Sequence, residues 1–592
     1  MADRCARVIL EEGRDLLGIC TPSSKLTAFA KELKIPCTNS VAILKSWMEK
    51  KPCDFLFSVV NSKILSKEII QLARQFCINF HNAPLPKYAG VHATSWAILN
   101  GEKLHGATWH VLEEEVDTGN ILKQCVFKID DYDTSFSLNV KCIENAMPLF
   151  SDLLKELANG SYTRTKQDLS QRSYYSFFQK PRDFGVISWS SATAEEIYAM
   201  ERGLNFSEYA NKLCLPKFIY NDTVFFAKGV KVSDEKSNAE SGTVVEISEE
   251  HLKIATTTND IIISQISDID NRNYEALAFA EARGIAVGQS LTSLSPAFLD
   301  KLREHGEKLA KSESYWVKTI TEANSVNFLS LNPSKNNPTI KEQTVFSGKI
   351  AKLLPKNVNS ETALITMFLL YLYRLNNYDD YSVGYKSQYA ENATEDIHDF
   401  FAEVAPINLS FSAETDFASA YSSVSKLLDT TKIKDTYSKD IKLRYPQLSD
   451  NTLSLPIVIS TSKPTRNDNR CLCFVINNDS IRLYFPDDLD ELNAKIIENM
   501  PGHLNVFING ILRDKTLKVK DAPLLTESEK HLLIEEYNDT TTDYPRDSSI
   551  AEIFEEQVLK YPNNIAVKHG NDYLTYDELN QKANQLASHL IN

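Results

Sequence analysis

The chain has 592 residues, 43 % hydrophobic and 24 % charged, a globular composition that excludes collagen, coiled-coil rods and wholesale disorder. Lys and Arg total 64 against 79 Asp and Glu, so the formal net charge is −15, a poor match for sequence-independent nucleic-acid binding, which needs clustered cations. No stretch approaches the roughly 18 apolar residues of a membrane span, and the start, MADRCARVILEEGRD, carries charges where a signal peptide needs an apolar core. The ten cysteines include no CxxC pair and read as reduced, mostly buried thiols, so the expected location is cytoplasmic, with no membrane, no nucleic acid and no metal site.

In chain order, a first helix is expected at 6–12, a short apolar strand at 16–21 and a helix at 24–34, where Leu26, Phe29, Ala30 and Leu33 recur at helical spacing. Residues 54–60 (DFLFSVV) are a continuous apolar run, as in a buried parallel strand. A helix opened by a Ser66 N-cap follows at 66–76, then strands at 77–81 (CINFH), 108–112 and 121–129, and a long helix at 136–157. This alternation predicts an α/β fold, a mostly parallel Rossmann-like sheet with helices on both faces, over 1–185. Short strands at 222–231, 242–247, 252–257 and 261–266, separated by turn residues, predict a small β-barrel-like subdomain over 186–275. Residues 276–339 read as a helical linker, with a loop at 335–338. A second α/β lobe is expected over 340–515, with a buried helix at 361–375 carrying Leu364, Phe368 and Tyr371 on one face, and strands at 455–460 and 471–476. After a linker at 516–545, in which Thr526 and Glu529 form a capping box, residues 546–592 contain helices at 550–559 and 576–590. The last carries Leu579, Ala583, Leu586 and Leu590 on one face.

The chemistry-bearing segment is NFHNAPLPKYAG, residues 79–90. It lies where a strand ends and a proline-punctuated loop begins, the place where open α/β sheets hold ligands. Asn79 and His81 differ by two and share one strand face. Asp117, in Asp-Thr-Gly, follows the strand at 108–112, and four of the eleven histidines fall between 81 and 110. An amide donor, an imidazole and a carboxylate suit the oxyanion formed when an amine attacks an activated acyl carbon, with no Ser or Cys nucleophile required. Taken singly, an Asn-x-His at a strand end is a hydrogen-bonded edge pair and an Asp-Thr-Gly is a turn; their combination carries the reading.

The stretch from Asn79 to Leu122 resembles the core of the folate-dependent formyltransferases, which include the methionyl-tRNA, sugar-nucleotide and glycinamide-ribonucleotide formyltransferases. The family's Asn-x-His and Leu-Pro turn fall on Asn79, His81, Leu85 and Pro86, and its aspartate on Asp117. The resemblance implies that Asn79, His81 and Asp117 are catalytic. It implies 10-formyltetrahydrofolate as cosubstrate, with Asn61, Ser62, Ile64 and Leu65 on one wall of its site and Leu85 and Val116 also lining it. Ile187-Ser188-Trp189 and the strands over 220–267 resemble the family's C-terminal barrel, so the resemblance spans about residues 5–270. Family members begin with a strand and a glycine turn, whereas this chain begins inside the first helix. The expectation is that a central strand is missing and that its neighbours expose unpaired backbone.

Val383-Gly384-Tyr385 and FFAEVAPI, residues 400–407, resemble the C-terminal lobe of a condensation domain of nonribosomal peptide synthetases. The stretch 522–540 resembles the linker that follows such a domain, and Leu574 to Leu579 (LTYDEL) resembles the first core motif of adenylation domains. No two histidines are adjacent, so the paired-histidine motif of condensation is absent and the lobe is expected to be inactive. The expected function is therefore transfer of formyl to the amine of an aminoacyl thioester on a peptidyl carrier protein, with the rest of an adenylation domain as a further partner. A sugar-nucleotide or methionyl-tRNA formyltransferase and a catalytically degenerate scaffold module are the alternatives.

Overall fold

The computed structural model describes residues 1–61, 63–329, 331, 338–387, 397–449, 453–463 and 471–591. Residues Lys335 to Asn337 of the expected loop lie outside that set. One compact unit runs from Met1 to Pro523 and a second from Leu524 to Asn592.

The N-terminal sheet has four strands in the order Phe55–Ser58, Phe76–His81, Leu104–Val111, Ile121–Lys128. Period-two alternation gives it two chemically different faces. Phe76, Ile78, Phe80, Ala107, Trp109 and Val111 pack on the helix Ser135–Asn159, through Phe150, Leu153 and Leu154. That helix begins at a Thr134–Ser137 capping box and ends at Gly160 in the left-handed conformation. The opposite face carries Asn79, His81, Thr108 and His110.

Four expectations need correction. The sheet is not mostly parallel: only Phe55–Ser58 and Phe76–His81 run parallel, and the next two pairs are antiparallel. The stretch from Val111 to Ile121 is shorter than the dozen or so residues a parallel crossover needs. The helix expected at 66–76 is a single turn, Lys67–Ile70, because the Arg74 and Gln75 amides bond the carbonyls of Cys53 and Asp54 and draw the chain into strand pairing. The run at 54–60 is only half-buried, since Phe55–Ser58 is an edge strand. The expected strand at 16–21 is the short Ile19–Cys20, which joins Cys37–Thr38 in a separate parallel ribbon.

The next sheet is antiparallel, in the order Val244–Ile247, Leu252–Ile254, Ile261–Ser267, Thr223–Val232, Lys217–Tyr220. Its core holds Trp189, Phe218, Phe225, Ile254 and Ile263. The barrel-like subdomain does not stop at 275: Ala276, Phe279 and Ala280 of the helix Ala276–Arg283 form one apolar face inside the same core. Helices Pro296–Ala310 and Glu313–Thr321 lead to a mixed six-stranded sheet ordered Ile340–Ser347, Ser480–Pro486, Leu472–Asn477, Ile457–Ser460, Tyr381–Lys386, Ala405–Leu409. In the helix Ser360–Leu375, the expected Leu364, Phe368 and Tyr371 are buried together with every residue from Ala363 to Tyr373. This part extends past 515, since the Arg374 guanidinium donates to the carbonyls of Val519 (2.7 Å) and Ala522 (2.8 Å).

The second unit contains the helix Glu527–His531 behind the Thr526–Glu529 capping box, the helix Ile550–Lys560, the hairpin Ile565–His569 with Asp572–Thr575, and the helix Tyr576–Ile591. In its last helix Leu586 and Leu590 are exposed. Among the described residues no helix is long and apolar enough to cross a membrane.

Candidate active site

The site is built on two neighbouring antiparallel strands. Register places Asn79 opposite His110 and His81 opposite Thr108. All four side chains follow from alternation against the Phe80–Trp109 face that packs into the core. The Asn79 amide nitrogen lies 3.2 Å from His110 Nε2. Asp117 reaches over from the loop before Ile121–Lys128, with Oδ1 3.4 Å from His110 Nε2 and Oδ2 3.6 Å from His81 Nδ1. The Gly90 N–H donates to Asp117 Oδ2 at 2.9 Å. His81, His110 and the Asp117 carboxylate are all nearly withdrawn from solvent.

Partners fix the protons. His81 Nε2 is 2.8 Å from the Tyr88 carbonyl, which can only accept, so Nε2 carries hydrogen. His110 Nδ1 is 2.8 Å from the Val111 carbonyl and carries hydrogen for the same reason, while its Nε2 faces both the Asn79 amide and Asp117 Oδ1. Burial pushes the His81 pKa down, against the pull of Asp117 and the Tyr88 carbonyl. The ring Nδ1 faces the carboxylate. Burial raises the Asp117 pKa, but His81, His110 and the Gly90 N–H together bring it down to about 2. His81 Nδ1, His110 Nε2 and an ionised carboxylate thus converge on one small space. This arrangement takes up a proton and stabilises the imidazolium that results.

The structure brings Asn79, His81 and Asp117 together. Asn61, Ile64 and Leu65 lie on the loop after the edge strand, and Ser62 lies outside the described residues. Asn61 is engaged in its own turn with Lys63, while Ile64 is 84 % and Val60 66 % exposed. Val60 has φ 51°, a strained setting for a β-branched residue and of the kind that clusters at binding loops. Lys67 pairs with Glu114 at 2.9 Å, tying this loop's helix to the segment that leads to half-buried Val116. Leu85 is 2 % exposed, held by the Leu85 N–H to Thr108 and the Gln124 amide to the Leu85 carbonyl. His110 was missed. Its signal is the Thr108-x-His110 alternation on the strand that pairs with Asn79-x-His81. Among the described residues no cluster of three or more ligating side chains is arranged to hold a metal ion.

Residues 39–154 match the formyl transferase family, and residues 181–284 match the formyl transferase C-terminal domain. The methionyl-tRNA formyltransferase of Clostridioides difficile is 28 % identical over 280 residues, covering 44 % of this chain and 87 % of that protein. An N-formyltransferase from Helicobacter canadensis, solved with folinic acid and dTDP-3-aminofucose, aligns with a TM-score of 0.35 at 23 % identity, covering 44 % of this chain and 94 % of that one. The methionyl-tRNA formyltransferase of Clostridium tetani is 30 % identical over 220 residues, 37 % of this chain and 68 % of that protein. With that identity over two thirds of a relative, and both family segments present in order, the chain belongs to the formyltransferase family.

Proposed function

We propose that the chain transfers a formyl group from 10-formyltetrahydrofolate to the amine of an aminoacyl thioester on a peptidyl carrier protein. The observation that carries the transfer chemistry is the convergence of Asn79, His81, His110 and Asp117. The amine nitrogen attacks the formyl carbon, that C–N bond forms, and the bond to the folate N10 breaks. One Asn79 N–H is engaged by His110, and the other is the donor for the oxyanion. The amine proton enters the space between His81 Nδ1 and Asp117 Oδ2, and a proton is returned to N10 as tetrahydrofolate leaves. His81 Nε2–H is committed to Tyr88, so Nδ1 is the position through which the ring exchanges a proton.

The residues fit the cosubstrate. Exposed Val60 and Ile64 offer an apolar surface for a planar ring, and the Lys67–Glu114 pair ties the helix after that loop to the segment leading to Val116. The carrier-bound acceptor is supported by the resemblance of 383–407, 522–540 and 574–579 to nonribosomal synthetase segments. The net charge of −15 disfavours a polyanionic tRNA. The exposed Leu586 and Leu590 suit contact with the rest of an adenylation domain. The curated relatives favour methionyl-tRNA as the second reading, so the assay carries both acceptors.

The full chain is given 10-formyltetrahydrofolate with either carrier-bound aminoacyl thioesters or methionyl-tRNA. Formylation of the thioester is expected, with kcat about 10²-fold lower or worse in folded His81→Ala and Asp117→Asn. Formylation of methionyl-tRNA alone overturns the acceptor, and near-normal turnover in Asp117→Asn overturns the site.

A further inference from the structure

Between the two segments that match the family runs a strap, residues 165–175, that touches both loops of the site. Thr165 and Ile121 exchange two backbone hydrogen bonds, at 2.8 and 2.9 Å, fixing the strap beside the strand that follows Asp117. Gln167 then donates its amide nitrogen to the carbonyls of Asp117 (2.9 Å) and Gly119 (2.7 Å). Arg172 Nη2 donates to the carbonyl of Val116 at 2.9 Å, with its guanidinium over the Tyr174 ring. The strap next pairs Tyr174–Tyr175 in parallel with Ala89–Gly90. Ser173 accepts from the Tyr88 N–H through its hydroxyl and from the Ala89 N–H through its carbonyl. Gly90 is the residue whose N–H holds Asp117 Oδ2. The backbone that carries the carboxylate and the backbone that receives it are fastened to one segment.

The loop needs such fastening. Asp117 sits at φ 57°, in the left-handed region. A Cβ on Gly119 would lie 1.9 Å from the Val111 carbonyl, and one on Gly90 2.1 Å from the Tyr175 carbonyl, so neither loop has slack to relax. Gln167 is buried, and its Oε1 has no partner. Its two donated bonds are its whole polar engagement, and both go to the loop that presents Asp117.

We propose that Gln167 and Arg172 are positioning residues for formyl transfer, holding the Asp117 carboxylate against His81, His110 and Gly90 without touching the reacting atoms. This rests on the reading of Asp117 given above. The test is single-turnover transfer from 10-formyltetrahydrofolate to a carrier-bound aminoacyl thioester by the full chain, in a double-mutant cycle. Gln167→Leu keeps the bulk and removes both bonds. It should lower kcat about 10-fold or more, leave KM for the folate within about twofold, and move the acid limb of the pH profile upward as Asp117 loses its alignment. In the Asp117→Asn background the same change should cost nothing further. Equal losses in both backgrounds, or unchanged kcat in Gln167→Leu, overturn the proposal. Normal turnover in Asp117→Asn alone overturns instead the reading on which it rests. Should Gln167→Leu fail to fold, Arg172→Lys, which retains the charge and removes the Nη2 bond, is read by the same criteria.

Discussion

His81 and His105 are buried, as is Nε2 of the partly buried His92, and in each case burial is the largest reason the pKa falls. His92, near Lys212 and Lys180, and His105, beside the Asn82 carbonyl, are both pushed down to about 4. A group that is neutral in the fold but titrates near 6.5 in the unfolded chain gives stability that is complete above pH 6.5 and is lost as pH falls toward 4. For His92 and His105 the loss between pH 7 and 5 is about 2 kcal/mol each. Urea midpoints should therefore drop over that range, with a shallower drop in His105→Leu. An unchanged pH slope in that variant would remove His105 from the account. The same residues show what was legible at this scale. Asn79 and His81 could be paired from sequence because strand alternation is local. His110 could not, because its place opposite Asn79 depends on strand order and register, which are set by long-range pairing.

Among the elements, the edge strand Phe55–Ser58 matters most, since the loop proposed to line the folate site begins at its end. It has one neighbour, whereas Phe76–His81, which carries Asn79 and His81, has one on each side. Its hold on the core is through Phe57 against Phe150 (5.3 Å) and Phe55 against Phe76 (5.1 Å). Outward-facing amides of Phe55–Ser58 should exchange with deuterium at least about 10²-fold faster than those of Phe76–His81, because local opening breaks a single ladder. Equal protection would mean that the edge is covered by something else. The strand run and the long helix Ser135–Asn159 were readable from apolar period and caps. Sheet direction was misread because a continuous apolar run looks alike in either direction; the informative signal was the short connection from Val111 to Ile121. The helix expected at 66–76 is a single turn; an N-cap at Ser66 could not reveal that the amides at 74 and 75 belong to the sheet.

At the scale of the whole molecule, the formyltransferase segment is joined to the later α/β lobe by buried charge. Asp440 accepts from Lys217 (3.1 Å), Arg444 Nε (2.7 Å) and the Ser438 hydroxyl (2.7 Å). The Arg444 guanidinium also bonds the Asn211 carbonyl (2.8 Å) and forms a fork with both oxygens of Glu313 (3.0 and 2.9 Å). Lys180 donates to the carbonyls of Lys212 and Leu213 and lies 3.6 Å from Glu313. Lys217 and Asn211 come from the formyltransferase C-terminal segment, Glu313 from the connecting helix, and Asp440 and Arg444 from the lobe. Burial would raise both carboxyl pKa values, but the facing cations outweigh it and hold both well below the usual carboxylate range. Removing one member strands the others without solvent, at a cost of about 3–5 kcal/mol. Arg444→Met should therefore destabilise the transferase and the lobe together. In calorimetry of the full chain, residues 1–523 should melt as one transition that shifts as a whole in the variant, and the temperature at which formyl transfer is lost should shift with it. If Arg444→Met instead split that transition, with the lobe melting early and the transfer activity persisting to its original temperature, the network would be a contact between two independent domains and the single cooperative unit would be wrong.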